Sequence, residues 1–169
     1  MAIHKLDLDE FDEIDYHLVA IHTTLEDYRL AYFINQHLPV NLSKSNEEIL
    51  ISIKEGETQF SRFYFDDEDN FVSWNLIQNK NEVIGQNEII NQDLFSNSSQ
   101  VVATKVFLLP ELKKVDYFLK IENIDAYFNP EDYLRKIEGV NQIIKSYTIN
   151  QDKIKTKQID ENLIFETLE

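Results

Sequence analysis

The longest stretch of patterned apolar residues runs from Val101 to Ile121. Val101 to Leu109 is apolar and rich in β-branched residues, the pattern of a buried strand. Pro110 removes a backbone donor and biases Leu109 towards an extended conformation, so it ends that strand or bulges it. Val115, Tyr117, Leu119 and Ile121 then alternate with Asp116, Phe118, Lys120 and Glu122. This period of two predicts a second strand, with Phe118 the exception on a mostly polar face. A helix from Pro110 to Lys120 competes, because proline suits a first helical position and Glu111 a helix start. The alternation favours the strand.

Upstream, Met1 to Asp12 reads as an irregular lead-in or a short edge strand. Ile14 to Thr23 predicts a strand whose middle, Leu18 to Ile21, is apolar on both faces and so belongs inside a sheet. A helix follows: Leu30, Phe33, Ile34, His37 and Leu38 form one apolar stripe, Thr23 and Glu26 have capping-box spacing, and Pro39 stops it. Val40 to Gln78 reads as a β-meander. Ile49 to Ile53 is a strand, with Ser45 to Glu48 a competing helix start. Gly56 marks a turn and Gln59 to Phe65 an aromatic strand. Asp66 to Asn70 forms a five-residue hairpin loop, and Phe71 to Ile77 returns with Val72, Trp74 and Leu76 on one face.

About half of residues 79–100 are Asn, Gln and Ser, which predicts a polar, flexible insertion within a single domain spanning residues 1–169. Val83-Ile84 and Ile89-Ile90 would anchor one short helix there. Downstream, Asn129 is an N-cap candidate, Pro130 suits the first helical position, and Glu131 and Asp132 suit the positive helix end. Leu134 and Ile137 face inward, and Gly139 is the C-cap. Val140 to Ile149 predicts a strand. Residues Val115 to Ile149 thus read as strand–helix–strand, a ferredoxin-like βαβ half. Lys153 to Lys157 is a basic patch, and Asn162 to Phe165 an apolar tail segment. The fold expected is α+β: a mostly antiparallel sheet with at least two helices packed on one face.

A short internal match accompanies this order. Ile14-Asp15-Tyr16-His17-Leu18 resembles Val115-Asp116-Tyr117-Phe118-Leu119, and Glu26-Asp27-Tyr28 resembles Glu131-Asp132-Tyr133. Duplication of a strand–helix unit would produce it, and so would chance in a chain rich in Asp and Tyr.

Composition narrows the function classes. At 169 residues, 43% hydrophobic and 12% aromatic, the chain has ample material for one core. There is no cysteine, hence no disulfide, thiol nucleophile or thiolate metal site. No signal peptide and no apolar run near the length of a membrane span is visible, so a cytoplasmic location is expected by elimination. The formal charge of −15 disfavours nucleic acid and anionic membrane as partners, remains compatible with a basic protein partner, and maintains solubility in any case.

Leu109-Pro110-Glu111-Leu112-Lys113-Lys114-Val115-Asp116-Tyr117 resembles the signature of the IPExxxVDY family of small bacterial proteins, with leucine at the motif's isoleucine position. The motif residues to follow are Leu109, Pro110, Glu111, Val115, Asp116 and Tyr117. The resemblance implies no reaction, cofactor or catalytic residue.

The other chemical signals are weak. His4, His17, His22 and His37 lack convergent spacing, and His17 and His22 point to opposite faces of their strand. The Asp66 to Asp69 run lacks the turn glycine and distal glutamate of a calcium loop, Ile77 standing at the distal position. Glu111 and Asp116 make a conceivable acid–base pair, but nothing in the sequence sets a His, Lys or nucleophile beside them. Phe60, Phe63, Tyr64, Phe65, Phe71 and Trp74 would form a sticky aromatic face before they formed a base-stacking platform, since Arg62 is the only cation among them. With Gly56, Gly85 and Gly139 far apart, no phosphate loop exists. No catalytic, cofactor-binding or metal-binding residue is therefore assigned. The expectation is a non-catalytic module acting through protein contact or self-association, with a small-molecule sensor as the alternative.

Overall fold

The computed structural model describes residues 16–87, 100–124 and 128–150. Several expectations lie outside these residues: the lead-in Met1 to Asp12 with His4, the Ile89-Ile90 anchor, the basic patch Lys153 to Lys157 and the tail Asn162 to Phe165. The strands are β1 (Tyr16–Thr23), β2 (Ser43–Lys44), β3 (Ile49–Ile53), β4 (Gly56–Phe60), β5 (Arg62–Asp67), β6 (Val72–Gln78), β7 (Lys80–Asn87), β8 (Gln100–Phe107), β9 (Tyr117–Glu122) and β10 (Ile143–Thr148). Helices α1 (Asp27–His37) and α2 (Pro130–Glu138) and a 3-10 turn at Pro110–Leu112 complete the described elements.

Six strands form one antiparallel sheet in the order β10-β1-β9-β6-β5-β2. β9 and β10 both run antiparallel to β1, which lies between them, and α2 makes the connection. Both helices cover one face. Leu30, Ala31 and Ile34 of α1 and Ile137 of α2 pack on Val19, Ile21, Trp74, Leu76, Leu119 and Ile121. The hairpins β3–β4 and β7–β8 cover part of the other face, burying Ile49, Phe60, Val83, Val106 and Leu108 against Leu18, Ala20, Ile77 and Phe118. The fold is thus helices, sheet, and a second β-layer. Fully burying one such side chain contributes about 1.5–3 kcal/mol, so both faces add to stability.

Local chemistry explains most element boundaries. Asn129 Oδ1 accepts the Glu131 N–H at 3.1 Å, Pro130 occupies the first turn of α2, and the Gly139 N–H closes onto Arg135 O. α1 ends at His37, two residues before Pro39. β8 stops at Phe107, and Leu109 is extended before the proline.

Four expectations change. The Thr23–Glu26 capping box does not form: Thr23 Oγ1 accepts from Leu25 N and donates to Gln142 O, and Glu26 makes no side-chain cap. The aromatic run Gln59 to Phe65 is two strands in different sheets, because the chain crosses between layers at Ser61. The hairpin loop between Asp67 and Val72 is one residue shorter than expected. The first part of the polar 79–100 segment is strand β7, paired along its length with β8, where a short helix was expected.

The internal match is also constrained. β1 and β9 are neighbours with Ile21 opposite Tyr117 and Tyr16 opposite Glu122. Tyr117 therefore lies on the helix face and Tyr16 on the opposite face, since cross-strand partners share a face and side chains alternate along a strand. A pseudo-two-fold through the sheet preserves faces, so the Tyr16–Tyr117 match is out of register with such a symmetry.

Candidate functional site

Three of the motif residues, Leu109, Val115 and Asp116, bond to one buried asparagine. Asn79, in the single-residue break between β6 and β7, is 0% exposed. Its Oδ1 accepts Leu109 N at 2.9 Å, and its Nδ2 donates to Leu112 O at 3.0 Å and Val115 O at 2.9 Å. Its backbone bonds Leu108 N and Asp116 O, both at 2.9 Å. Asn79 thereby holds the loop that Pro110 turns. The Asp116 carboxylate reaches outwards, taking the Thr23 backbone N–H at 3.0 Å and Lys80 Nζ at 2.6 Å. Tyr117 is buried, and its hydroxyl donates to Leu25 O at 3.0 Å just before α1. Burial pushes this phenol up to about 12, with the nearby carboxylates of Asp27, Asp116 and Glu26 adding to the effect.

These contacts give the motif a structural role: it ties β9, the β6–β7 junction and the β1–α1 connection together. Glu111 is exposed on the 3-10 turn, while the Asp116 oxygens are engaged by Thr23 and Lys80. Nothing in this arrangement pairs the two carboxylates for acid–base work. His17 stacks on Phe128 on the helix side, and His22 stacks on Tyr147 on the other side, as their odd spacing requires. Among the described residues no group of three or more His, Asp or Glu is placed to hold a metal ion.

The unexpected polar feature lies on the sheet face opposite the helices, beyond the edge of the second β-layer. Asn75 opposes Lys120, and Ser73 opposes Glu122, across β6 and β9. Arg62 Nε donates to Asn75 Oδ1 at 2.9 Å, Asn75 Nδ2 donates to Glu122 Oε2 at 3.1 Å, and Lys120 Nζ reaches Glu122 Oε1 at 2.7 Å. Lys120 is only 3% exposed and its Nζ lies 4.4 Å from the centroid of the Tyr16 ring. Arg62 is 9% exposed. Burial draws the Arg62 guanidinium below its ordinary value, while Glu122, Glu47 and Asp66 pull it back up. Arg62 remains a cation at neutral pH.

A pocket of about 480 Å³ opens over this network, lined by Arg62, Asn75, Glu122, Tyr64, Asp66 and Glu47 among others. Its walls carry both charge signs, amides and hydroxyls. Two buried cations inside a sheet are a costly arrangement for a purely structural core, because desolvating each charge opposes the gain from pairing it.

The sequence draws attention to Arg62, Tyr64 and Asp66 only within the aromatic and acidic runs of the hairpin, with no sign that they share a pocket with Asn75 and Glu122. Glu122 follows Lys120 by two on the same face of β9, as the alternation predicts, while register brings Asn75, and through it Arg62, to them. The aromatic face expected on the β5–β6 hairpin is dispersed instead. Phe60, Phe63 and Trp74 are buried in two different clusters, Phe65 is half-buried, and Tyr64 and Phe71 are exposed.

The chain matches no protein-family model, no curated protein and no solved structure. No helix among the described residues is long and apolar enough to cross a membrane.

Proposed function

We propose that this chain is a non-catalytic binding module that takes a small polar ligand in the pocket lined by Arg62, Asn75 and Glu122. The observation that carries the reading is the buried Lys120–Glu122–Asn75–Arg62 network, of which Arg62, Asn75 and Glu122 line that pocket and Lys120 lies behind Glu122. Binding sites concentrate convergent polar groups in a concave setting, whereas stable cores avoid buried charge. Walls of mixed charge suit a ligand that offers both donors and acceptors, such as a zwitterion or a polyhydroxylated molecule.

A ferredoxin-like strand–helix–strand half is supported by β9, α2 and β10 flanking β1. Assignment to the IPExxxVDY family rests on Leu109, Pro110, Glu111, Val115, Asp116 and Tyr117 alone. The charge of −15 and the lack of cysteine support a cytoplasmic protein that does not engage nucleic acid.

A thermal-shift panel of amino acids, sugars, organic acids and nucleotides tests the reading. Saturation at about a hundredfold over Kd adds about 2.7 kcal/mol, or roughly 5–11 °C for a domain of this size. Lys120→Met combined with Glu122→Gln removes both charges of the pair, leaves no lone buried ion and keeps an acceptor for Asn75, so it should hold the free protein's melting point within a few degrees; because Glu122 lines the pocket, it should abolish the shift. A hit that this double variant leaves untouched, or a panel with no hit, overturns this site.

Protein contact or self-association is a second reading, favoured by Phe71. Its φ of 57° places a bulky side chain in the left-handed region, and it is 80% exposed at the hairpin tip. Strain combined with exposed apolar area is unfavourable for the isolated chain and makes sense at a contact. Phe71→Asn should preserve stability, because asparagine tolerates this φ, and should reduce self-association measured by sedimentation velocity. A wild-type chain that is monomeric at all concentrations removes the self-association form of this reading.

A further inference from the structure

Strand register builds the polar pocket as a grid on the sheet face away from the helices. Tyr64 stands opposite Asn75 and Asp66 opposite Ser73 across β5 and β6, and Ser73 stands opposite Glu122 across β6 and β9. Cross-strand partners share a face, and so does Arg62, two residues before Tyr64. The turn after β2 adds a wall. The Ser45 N–H donates to Arg62 O at 2.8 Å, and Ser45 Oγ accepts the Glu47 N–H at 3.1 Å, which fixes Glu47 at the rim. Arg62 and Asn75 are buried, whereas Glu47, Tyr64 and Asp66 are exposed.

The floor of the pocket is committed to the protein. Asn75 uses Oδ1 on Arg62 and Nδ2 on Glu122, and the other Glu122 oxygen takes Lys120. The walls remain open. Among the described residues, the side chains of Asn46, Glu47, Asp66 and Ser73 and the Tyr64 hydroxyl make no hydrogen bond to the rest of the chain.

Open carboxylates need donors, while open amides and hydroxyls also bring hydrogens that need acceptors. An alkylammonium offers donors only and would leave the amide and hydroxyl hydrogens unpaired. A carboxylate or phosphate offers acceptors only and would face Glu47, Asp66 and Glu122, with Arg62 the one cation of the lining among the described residues. Those three carboxylates already surround the guanidinium, which leaves it little attraction for the carboxylate of a zwitterion. A hydroxyl donates and accepts at once. Tyr64 adds an apolar surface beside these groups: it is 41% exposed and stacks on no other ring among the described residues. The volume of about 480 Å³ falls in the range of small-ligand sites.

We infer, resting on the reading of this pocket as a binding site, that its ligand is a neutral polyhydroxylated ring, a sugar or cyclic polyol, with its C–H face on Tyr64 and its hydroxyls on Glu47, Asp66 and Asn46. Charged and zwitterionic molecules are disfavoured by the same lining.

Saturation-transfer NMR on the full chain tests this with D-glucose, D-galactose, D-mannose and myo-inositol, each to about 50 mM, a range that covers weak millimolar binding. Putrescine, L-alanine and gluconate run alongside as a dication, a zwitterion and a polyhydroxylated anion. The expected result is saturable binding of at least one neutral ring, with gluconate weaker by about tenfold or more. Tyr64→Ala should lower the affinity for that ring about tenfold and Asp66→Ala severalfold, while Tyr64→Phe keeps most of it. Both positions are exposed, so circular dichroism should show an unchanged fold in each variant. Ring binding that Tyr64→Ala leaves undiminished would place the sugar elsewhere and overturn the inference. So would gluconate bound as tightly as the neutral ring. If none of the four rings binds, the inference fails. A signal from putrescine, L-alanine or gluconate that Lys120→Met with Glu122→Gln removes would then keep the pocket as a binding site, and silence from every probe would count against both.

Discussion

The Asp116 carboxylate accepts the backbone N–H of Thr23 at 3.0 Å, joining the entry of β9 to the last residue of β1. Lys80, whose side chain is more than a third exposed, pairs with the other oxygen at 2.6 Å. Exposure and salt limit that ion pair to about 0–1 kcal/mol. The bond to Thr23 matters more, because the part-buried N–H has no replacement if the acceptor is removed. Asp116→Ala should cost about 1–3 kcal/mol in urea unfolding, and Asp116→Asn, which retains an acceptor, clearly less. Equal losses for the two variants would show that the charge, and not the hydrogen bond, is what counts.

Asn79 supplies partners to Leu109 N, Leu112 O and Val115 O from a fully buried position. Asn79→Ala withdraws all three at once. The expected loss is about 3 kcal/mol or more, or roughly 6–12 °C in melting temperature for a chain of this length. Asn79→Asp should fare no better, since it replaces the two donors with a buried charge. A shift of less than a couple of degrees for Asn79→Ala would show that water replaces the amide.

The buried Tyr117 phenol predicts a specific alkaline limb. Its pKa is raised to about 12 in the folded chain, against an unfolded value of about 10. The folded state therefore holds the proton more tightly. The stabilisation is fully present below pH 10 and is lost as pH rises through about 12, with a limiting slope of about 1.4 kcal/mol per pH unit. Tyr117→Phe should flatten this limb in urea melts between about pH 9.5 and 11, and should cost about 1 kcal/mol at neutral pH by leaving Leu25 O without its donor. An unchanged alkaline slope in Tyr117→Phe would assign the limb to other groups.

Gly56 is the point where the two hairpins of the second layer meet. Its φ is 145°, and a Cβ there would lie 2.9 Å from Val83 Cγ1. Gly56→Ala meets both a disfavoured backbone region and a steric conflict, and should destabilise by about 1–3 kcal/mol. Gly56→Ala with Val83→Ala relieves only the steric part, so the double variant should not regain wild-type stability. A fully neutral Gly56→Ala would show that the hairpins separate readily.

Much of the fold was legible because its signals are local. The alternation of Val115 to Ile121, the stripe of Leu30, Ile34 and Leu38, and the Asn129-Pro130-Glu131 helix start each encode an element within a few residues. The expected strand–helix–strand order from Val115 to Ile149 is present as β9, α2 and β10. β7 was not legible, since a polar run such as Lys80–Asn87 becomes a strand only through its pairing with β8. Nor was the break at Ser61, where continuous β-prone sequence changes sheets.

The sequence by itself determined the α+β class, both described helices, the proline-terminated strand and the opposite facing of His17 and His22, because dihedral preference, side-chain period and capping act over short range. The tertiary structure alone decided which partners those side chains meet. Register set Asn75 against Lys120 and Ser73 against Glu122, and chain crossing placed Arg62 beside them. It also put Asn79 beneath the motif and gathered Trp74, Phe128 and Tyr133 into one corner. Such groupings join residues far apart in the chain, and a one-residue change in register would send each strand's side chains to the other face.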